Sequence, residues 1–454
     1  MQFFIFSESI IKSEDQVIFE ATELGKLKEA LPLKELASLL PERKSKSGSK
    51  SWLSNEGQIA LMFLKHHTGL SDADLIEHLN NNFAMQMFCG IRLNKFERIK
   101  DKNLPSAIRC RLAKYLDMDK FQQTCLENWK GELQGLNVLM NDAVVYESYI
   151  KYPTDVKLLW DSTSWVYEKM FLLCEEMGIR KPRSKYLNHK VRQNSFSKRK
   201  KKSYKENRRR IKQLLKLLEK GLGQLQTILD HCHALSKPNL FVDFVLSDSF
   251  YTRLKTIKTI LAQQKYMSLH PGKKAPDRIV SLAKPWVRAI VRGKENKPVE
   301  FGPKVHMSQT DGINYIEHYS YKAFNETKRL KTSIFHHEQL FRTKCTHYAA
   351  DNIYPTNENR RYISGKNIYT NFVPKGRIDK EQEVQLKQIR SLLGKQRATV
   401  LEGSFGNEKL HYSLNKIKAR LESTEKLWVF FGVMTANAVK IASRREDQIH
   451  RKAA

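Results

Sequence analysis

No pair of the six cysteines stands at a metal-ligand spacing. Cys89, Cys110, Cys125, Cys174, Cys232 and Cys345 are scattered singly, which excludes both a clustered metal site and a secreted disulfide framework. They suit a reducing compartment, where a free cysteine packs as a small hydrophobe. His231-Cys232-His233 has no second cluster to complete a site. Long hydrophobic runs are lacking too. The most apolar stretch, 427–442, carries Asn437 and Lys440, and it is too short and too polar for a bilayer span. The apolar start, Met1 to Phe6, has neither a basic n-region nor a cleavage site, so no signal peptide is read. Internal repeats are absent. These absences lead to an expectation of a soluble cytoplasmic protein with no membrane partner.

Acidic residues are the minority among the charged ones. Lys and Arg number 80 against 48 Asp and Glu, a formal net charge of +32. Such an excess raises the local concentration of phosphate backbones and points to a nucleic-acid partner. With 454 residues, the chain can form two or three domains, or one core domain with a large insertion.

The basic, small-residue segment from Arg43 to Lys50 reads as a loop or linker. A helical patch follows, ending at Gly69, and Ser71 with Asp74 marks the start of a second helix. The pair reads either as a helix-turn-helix for DNA or as a plain packing hairpin. Residues 1–130 are taken as an all-α N-terminal domain. Beyond it, Val138-Leu139-Met140 and Ala143-Val144-Val145 flank Asn141-Asp142 as a buried strand. From about 157 to 297 the texture is helical and basic. Thr154 supplies an N-cap, and Ser203 with Glu206 has capping-box spacing. An amphipathic helix then runs through Leu214, Leu218 and Leu225. Strand texture resumes near Val299, with a hairpin turn at Asp311-Gly312. A polar helix over 326–342 and a short strand ending on Asp351 come next. Thr356 then caps a short helix. The last long element is read as a helix starting near Glu402 and running to Ala419.

Three acids stand out by position: Asp142 inside an apolar strand, Asp351 at a strand end, and Glu402 at the expected helix start. A buried charge is costly unless it is paired or binds metal. Two-metal phosphoryl transfer needs oxygen ligands converging on cations about 3.5–4 Å apart. Asp243 and Asp248 are rivals on chemistry alone, but they fall in the helical segment.

Four blocks carry a family likeness. They are Asn141-Asp142-Ala143-Val144-Val145-Tyr146-Glu147-Ser148-Tyr149 with Tyr152-Pro153-Thr154-Asp155, then Phe301-Gly302-Pro303-Lys304-Val305 with Asp311-Gly312, then Ala350-Asp351-Asn352-Ile353-Tyr354 with Thr356-Asn357-Glu358-Asn359-Arg360, and finally Glu402-Gly403-Ser404-Phe405-Gly406-Asn407-Glu408-Lys409 with Lys416-Ile417-Lys418-Ala419-Arg420. Together with 57–89, they resemble insertion-sequence DDE transposases of the insertion-sequence five group and its neighbours. The resemblance implies an α/β ribonuclease-H-like domain over 131–454, a mixed sheet flanked by helices and interrupted by the basic helical insertion. It implies catalytic and metal-binding roles for Asp142, Asp351 and Glu402, with two Mg²⁺ ions that Mn²⁺ can replace. The implied partners are double-stranded DNA, both terminal inverted repeats and target, and a second copy of the chain on paired ends. The implied setting is a bacterial cytoplasm, at the nucleoid.

The family signature places Tyr, Arg, Glu and Lys at set spacings. Glu402 and Lys409 fit the last of these. Lys395 and Ala398 stand at the first two positions, with Arg397 one residue away and given no role. Lys409, Lys375, Arg377, the run Lys198-Arg199-Lys200-Lys201-Lys202 and Arg208-Arg209-Arg210 are expected phosphate contacts. Trp160, Trp165 and Trp286 read as core residues, with base stacking as the alternative. Two rival readings share these residues: a decayed, purely DNA-binding protein, and a metal-dependent nuclease on the same fold.

Overall fold

The strand Val138–Val145 carries apolar side chains on both faces, so both must be covered. In the computed structural model it is the central strand of a mixed sheet. The structure describes residues 14–42, 51–233, 240–291, 298–376 and 380–453. The segment 43–50 and Arg377 fall outside these. Seven strands occur among the described residues: β1 (Val138–Val145), β2 (Ala289–Val291), β3 (Val299–Phe301), β4 (Lys304–Thr310), β5 (Ile313–Ser320), β6 (His347–Ala349) and β7 (Tyr369–Thr370). Five form one sheet in the order β5-β4-β1-β6-β7, and β2 with β3 makes a separate ribbon. The β1–β4 and β4–β5 pairs are antiparallel, whereas β1–β6 and β6–β7 are parallel. The chain divides into two compact units, one of 1–149 with 303–454 and one of 150–302.

The expected hairpin is present. Asp311 and Gly312 both have positive φ, 48° and 76°, as a two-residue turn of the primed type requires. Arg444 donates to the Asp311 carboxylate at 2.8 Å and to its carbonyl at 2.7 Å, tying the turn to the C-terminal helix Glu422–Ala453. One face of the sheet packs on the helix Leu330–Phe341: Tyr315 and Thr310 contact His337, and Ser333 donates to Glu317. The other face is covered by Leu393, Leu401, Phe405, Trp428, Val429 and Val433.

The apolar stretch near 427–442 is a core element. Among the described residues no helix is long and apolar enough to cross a membrane. Leu427, Phe430, Phe431 and Met434 join one core with the N-terminal residues Ile59, Phe63, Leu112 and Phe121. The N-terminal helices and the sheet are therefore one unit. The helix Asn55–Thr68 is capped by Ser54 and ends at Gly69 in the left-handed region, φ 66°. It is buried from Gly57 to His66. Its successor, Asp72–Asn81, starts with the expected Ser71–Asp74 box and exposes Asp74 and Glu77. The first helix is buried in the core, and the second presents the acids Asp74 and Glu77 on its outer face.

One sequence expectation is corrected. Glu402 does not open a helix. Residues 380–396 are α-helical, Arg397–Leu401 form a π-turn, and the helix continues as Glu402–His411. It ends there, and residues 412–421 return to the sheet, with Ile417 bridging Ser148. β-Branched Thr399 and Val400, followed by Gly403 and Gly406, weaken helical propensity locally. Burial of Leu401 and Phe405 against the sheet overrides it.

The second unit is largely helical. Its helices Asp155–Glu176, Tyr204–His233 and Asp248–Leu269 enclose Leu159, Val166, Met170, Leu214, Leu218, Leu225 and Ile257. Thr154 accepts from the Lys157 N–H at 3.3 Å. Ser203 and Glu206 cap each other at 3.0 and 3.2 Å. Asp243 and Asp248 lie in this unit. Trp160 stacks on Tyr186 and Trp165 packs near Phe250, so both tryptophans serve its core.

Candidate active site

Side chains alternate along β1. Met140, Asp142 and Val144 share the face toward the helix 380–411, and Asn141 points the opposite way, donating to Ser308 at 2.6 Å. The parallel pairing of β1 with β6 ends at Met140 opposite Ala349. Asp142 and Asp351 each stand two residues further on. Neighbouring strands lie about 4.8 Å apart, so the register alone sets the two carboxylates side by side. The end of β6 is fixed by Asn371, whose side chain accepts from the Ala350 N–H at 3.1 Å and donates to its carbonyl at 2.8 Å.

Glu402 reaches the same point from the covering helix. The three acids meet on one guanidinium. Arg397 Nη2 lies 3.1 Å from Asp351 Oδ1 and 3.8 Å from Asp142 Oδ2, and Nη1 pairs with Glu402 Oε1. The Arg397 side chain is only 12% exposed, while those of Asp351 and Glu402 are 44% and 51% exposed. Burial pushes the Asp142 carboxyl up to about 6, against the pull of Arg397 and of the Ala143 N–H. Glu326 and Asp351 push it further up by like-charge repulsion. Glu326 itself is a neighbouring acid that the sequence did not single out. One of its oxygens pairs with Lys304 at 2.8 Å, and the other is buried without a hydrogen-bond partner.

The helix is pinned to the sheet by a buried polar network. Glu408 accepts from the Tyr146 hydroxyl and from Asn314 Nδ2. Asn314 also donates to Ser404 at 2.8 Å, and Gln309 donates to Asn314 at 2.6 Å. Full burial pushes the Glu408 carboxyl up to about 7 from 4.5, against the pull of Tyr146, Asn314 and Lys409. A folded-state value above the ordinary one means that Glu408 supports the fold fully below pH 4.5. That support is lost as pH rises through about 7. Relative to Glu408→Gln, the wild type is expected to lose on the order of 2 kcal/mol across this window. Chemical denaturation at a series of pH values checks it, and parallel stability curves for the two proteins would refute it.

The remaining sequence-predicted residues are dispersed. Lys409 is half-buried and lies over the Tyr146 ring, 5.7 Å from its centroid. Lys375 is exposed and donates to Asn357 at 2.8 Å. In the second unit Lys198, Arg199, Lys200, Lys201, Arg208 and Arg209 are exposed, and Lys202 is half-buried against Phe196. Arg210 differs. It is 4% exposed, and its guanidinium is occupied by Gln193 and His189 within the unit. It braces two helices and presents no charge to a partner.

The N-terminal helices supply a different kind of information. Residues 12–121 match a family model, the Transposase domain (DUF772). The match supports a transposase. The matched stretch spans the helices from Glu14–Glu20 into Met118–Trp129 and ends before β1, so it contains none of the three acids. No curated protein and no solved structure matches the chain.

The donor set can be judged by its chemistry. Three carboxylates offer oxygen alone, which suits hard divalent cations such as Mg²⁺ or Mn²⁺, and a positive group already sits among them. Among the described residues, no three His, Cys, Asp or Glu side chains are close enough to share one ion as they stand. The guanidinium stands between them.

Proposed function

We propose that the chain is a DDE transposase that cleaves DNA at insertion-sequence ends and joins the freed end to target DNA. The convergence of Asp142, Asp351 and Glu402 on one cation carries this reading. The middle of β1, the stretch just past the end of β6 and a covering helix hold them on a mixed five-stranded sheet, as a ribonuclease-H-like catalytic domain would. The match of 12–121 to a transposase domain supports it independently.

Asp142, Asp351 and Glu402 would hold two divalent ions, which supply activation of the attacking oxygen and stabilisation of the leaving one. The rigid elements keep the acids in place, because Asp142 is fixed by its strand and Glu402 by the network through Ser404 and Glu408. A buried, water-poor setting around Asp142 strengthens each charge interaction there. Lys409, seven residues after Glu402 and about two turns along the helix, is assigned to a backbone phosphate near the cut. Exposed Lys375 and the basic segments of the second unit bind the duplex backbone and set affinity without reading sequence. Cutting both ends together calls for a homodimer. The cell compartment that fits is the bacterial cytoplasm.

The deciding experiment incubates purified protein with Mg²⁺ and a donor plasmid carrying the sequences that flank the gene. Cleavage at the ends with strand-transfer product is the expected result. End cleavage without transfer would make the protein a nuclease, and end binding without cleavage under any metal would make it a DNA-binding protein only.

The basic segments are tested separately. Charge reversal at Lys198, Lys200 and Lys201 is expected to flatten the dependence of log affinity on log salt by about 1 for each phosphate no longer neutralised. Filter-binding at several salt concentrations measures it, and an unchanged slope removes this segment from the interface.

A further inference from the structure

An arginine at the centre of an acid cluster has a physical consequence for metal binding. Arg397 and Glu402 are five residues apart. In an uninterrupted α-helix of 3.6 residues per turn, that spacing leaves two side chains about 140° apart around the axis. They would face different surroundings. The π-turn Arg397–Leu401 removes the mismatch. The Glu402 N–H bonds to the Arg397 carbonyl, an i to i+5 bond, and the widened turn stacks the two residues on one side. One inserted residue in the sequence is thus absorbed by one widened turn, as π-bulges at functional sites do. The signature spacing that Arg397 misses by one residue is restored in space.

The guanidinium delivered in this way meets all three acids. A guanidinium is a permanent cation. It forms ion pairs with the same three carboxylates that a divalent ion would require. Its fork also keeps those oxygens spread around a planar group, which accords with there being no three such side chains close enough to share one ion as they stand among the described residues. Two cations competing for one set of oxygens must bind with negative coupling.

We propose that Arg397 is a resident counter-cation that fills the acid cluster before metal loading, lowers the affinity for divalent ions and leaves the cluster when they bind. The proposal rests on the two-metal reading of Asp142, Asp351 and Glu402 given above. Arg397 acts here as a positioning residue, setting where the carboxylates sit and how much metal the enzyme needs.

The test is calorimetric titration of Mn²⁺ into the full-length wild type, Arg397→Gln, Arg397→Lys and Asp142→Asn, without DNA, alongside thermal melts with and without Mn²⁺. Arg397→Gln is expected to bind Mn²⁺ more tightly, by about fivefold to a hundredfold, the usual span of a coupling between two ligands. Its metal-free melting temperature is expected to fall, because three acids lose their shared cation, and Mn²⁺ is expected to raise it more than in the wild type. Arg397→Lys, which keeps the charge but loses the fork, is expected to bind with intermediate affinity. It decides the matter should Arg397→Gln not fold. Affinity equal to or weaker than wild type in the folded variant overturns the proposal. Failure of the underlying reading looks different: wild type and Asp142→Asn would then bind Mn²⁺ alike, or neither would bind it, and the counter-cation role would fall with the metal site.

Discussion

Asp142→Asn is expected to abolish end cleavage while leaving the protein at least as stable as the wild type. The two effects have opposite signs because the carboxylate's charge is a burden to the fold. Burial holds the Asp142 carboxyl up at about 6, so at neutral pH the folded protein carries a charge it would shed more readily than the unfolded chain does. Asparagine keeps the size of the side chain and an oxygen that can still accept from the Ala143 N–H, at 2.7 Å in the wild type. It removes the negative charge on the central strand that divalent ions need. Loss of one fixed charge-stabilising group already costs about a hundredfold to a thousandfold in other active sites. A metal ligand at the centre of the cluster should cost at least on the order of a thousandfold. Cleavage assays over a Mg²⁺ series, with thermal melts of the same preparations, measure both effects. A variant that cleaves at near wild-type rate would remove Asp142 from the site. A variant that melts well below the wild type would mean that lost activity reports misfolding.

Asp72→Ala is expected to destabilise the protein by about 3–5 kcal/mol, the cost of leaving buried charge without its partner. Asp72 is shared by two cations. Lys65 Nζ lies 2.8 Å from Oδ1, and Arg109 Nη2 lies 3.0 Å from the same oxygen. The two cationic side chains are only 4% and 6% exposed. Arg109 also lies 4.9 Å from the centre of the Trp428 ring, so the triad fastens the turn between two N-terminal helices to the C-terminal one. Burial raises the Asp72 pKa, but Arg109 and Lys65 outweigh it and hold the carboxyl below its ordinary 3.8. A depressed carboxylate contributes its stability above the unfolded-state value and loses it as pH falls through the folded one. The wild-type advantage over Asp72→Ala should therefore be complete at neutral pH and shrink below pH 3.8. Denaturant titrations at neutral and acidic pH would reveal it. A loss under about 1 kcal/mol at neutral pH, typical of exposed pairs, would show that water reaches the two cations.

What the sequence disclosed depended on how local the cause was. Asp142 stood out because one acid interrupts a run of apolar residues, and the β4–β5 hairpin because Asp311-Gly312 can take positive φ twice. The caps at Thr154, Ser203 and Thr356 likewise depend on neighbours within three residues. Arg397 could not be found that way. Its spacing to Glu402 is wrong for an α-helix, and only the packing of Leu401 and Phe405 on the sheet makes the turn widen. Glu402 was visible as an acid but misread as a helix start, because Thr399, Val400, Gly403 and Gly406 weaken the local propensity that tertiary contacts then override. Arg210 sat in a charged run with nothing in the pattern to say which arginine would turn inward. Glu326 and Glu408 looked like ordinary helix acids. Their proximity to Asp142 and Tyr146 arises from chain segments far apart in sequence.

The shared core of the first unit also bears on the order in which the chain is made. Ile59, Phe63 and Phe121 pack with Phe430 and Phe431, which leave the ribosome more than three hundred residues later. The N-terminal helices must therefore wait, with their apolar faces uncovered, until Phe430 and Phe431 have been made. The unit at 150–302 draws its core from its own residues and can fold during that wait. A newly made chain would pass through a stage in which its basic insertion is complete while β1 and the helix that carries Glu402 are still apart, so the acid cluster forms later than the unit inserted between its first two members.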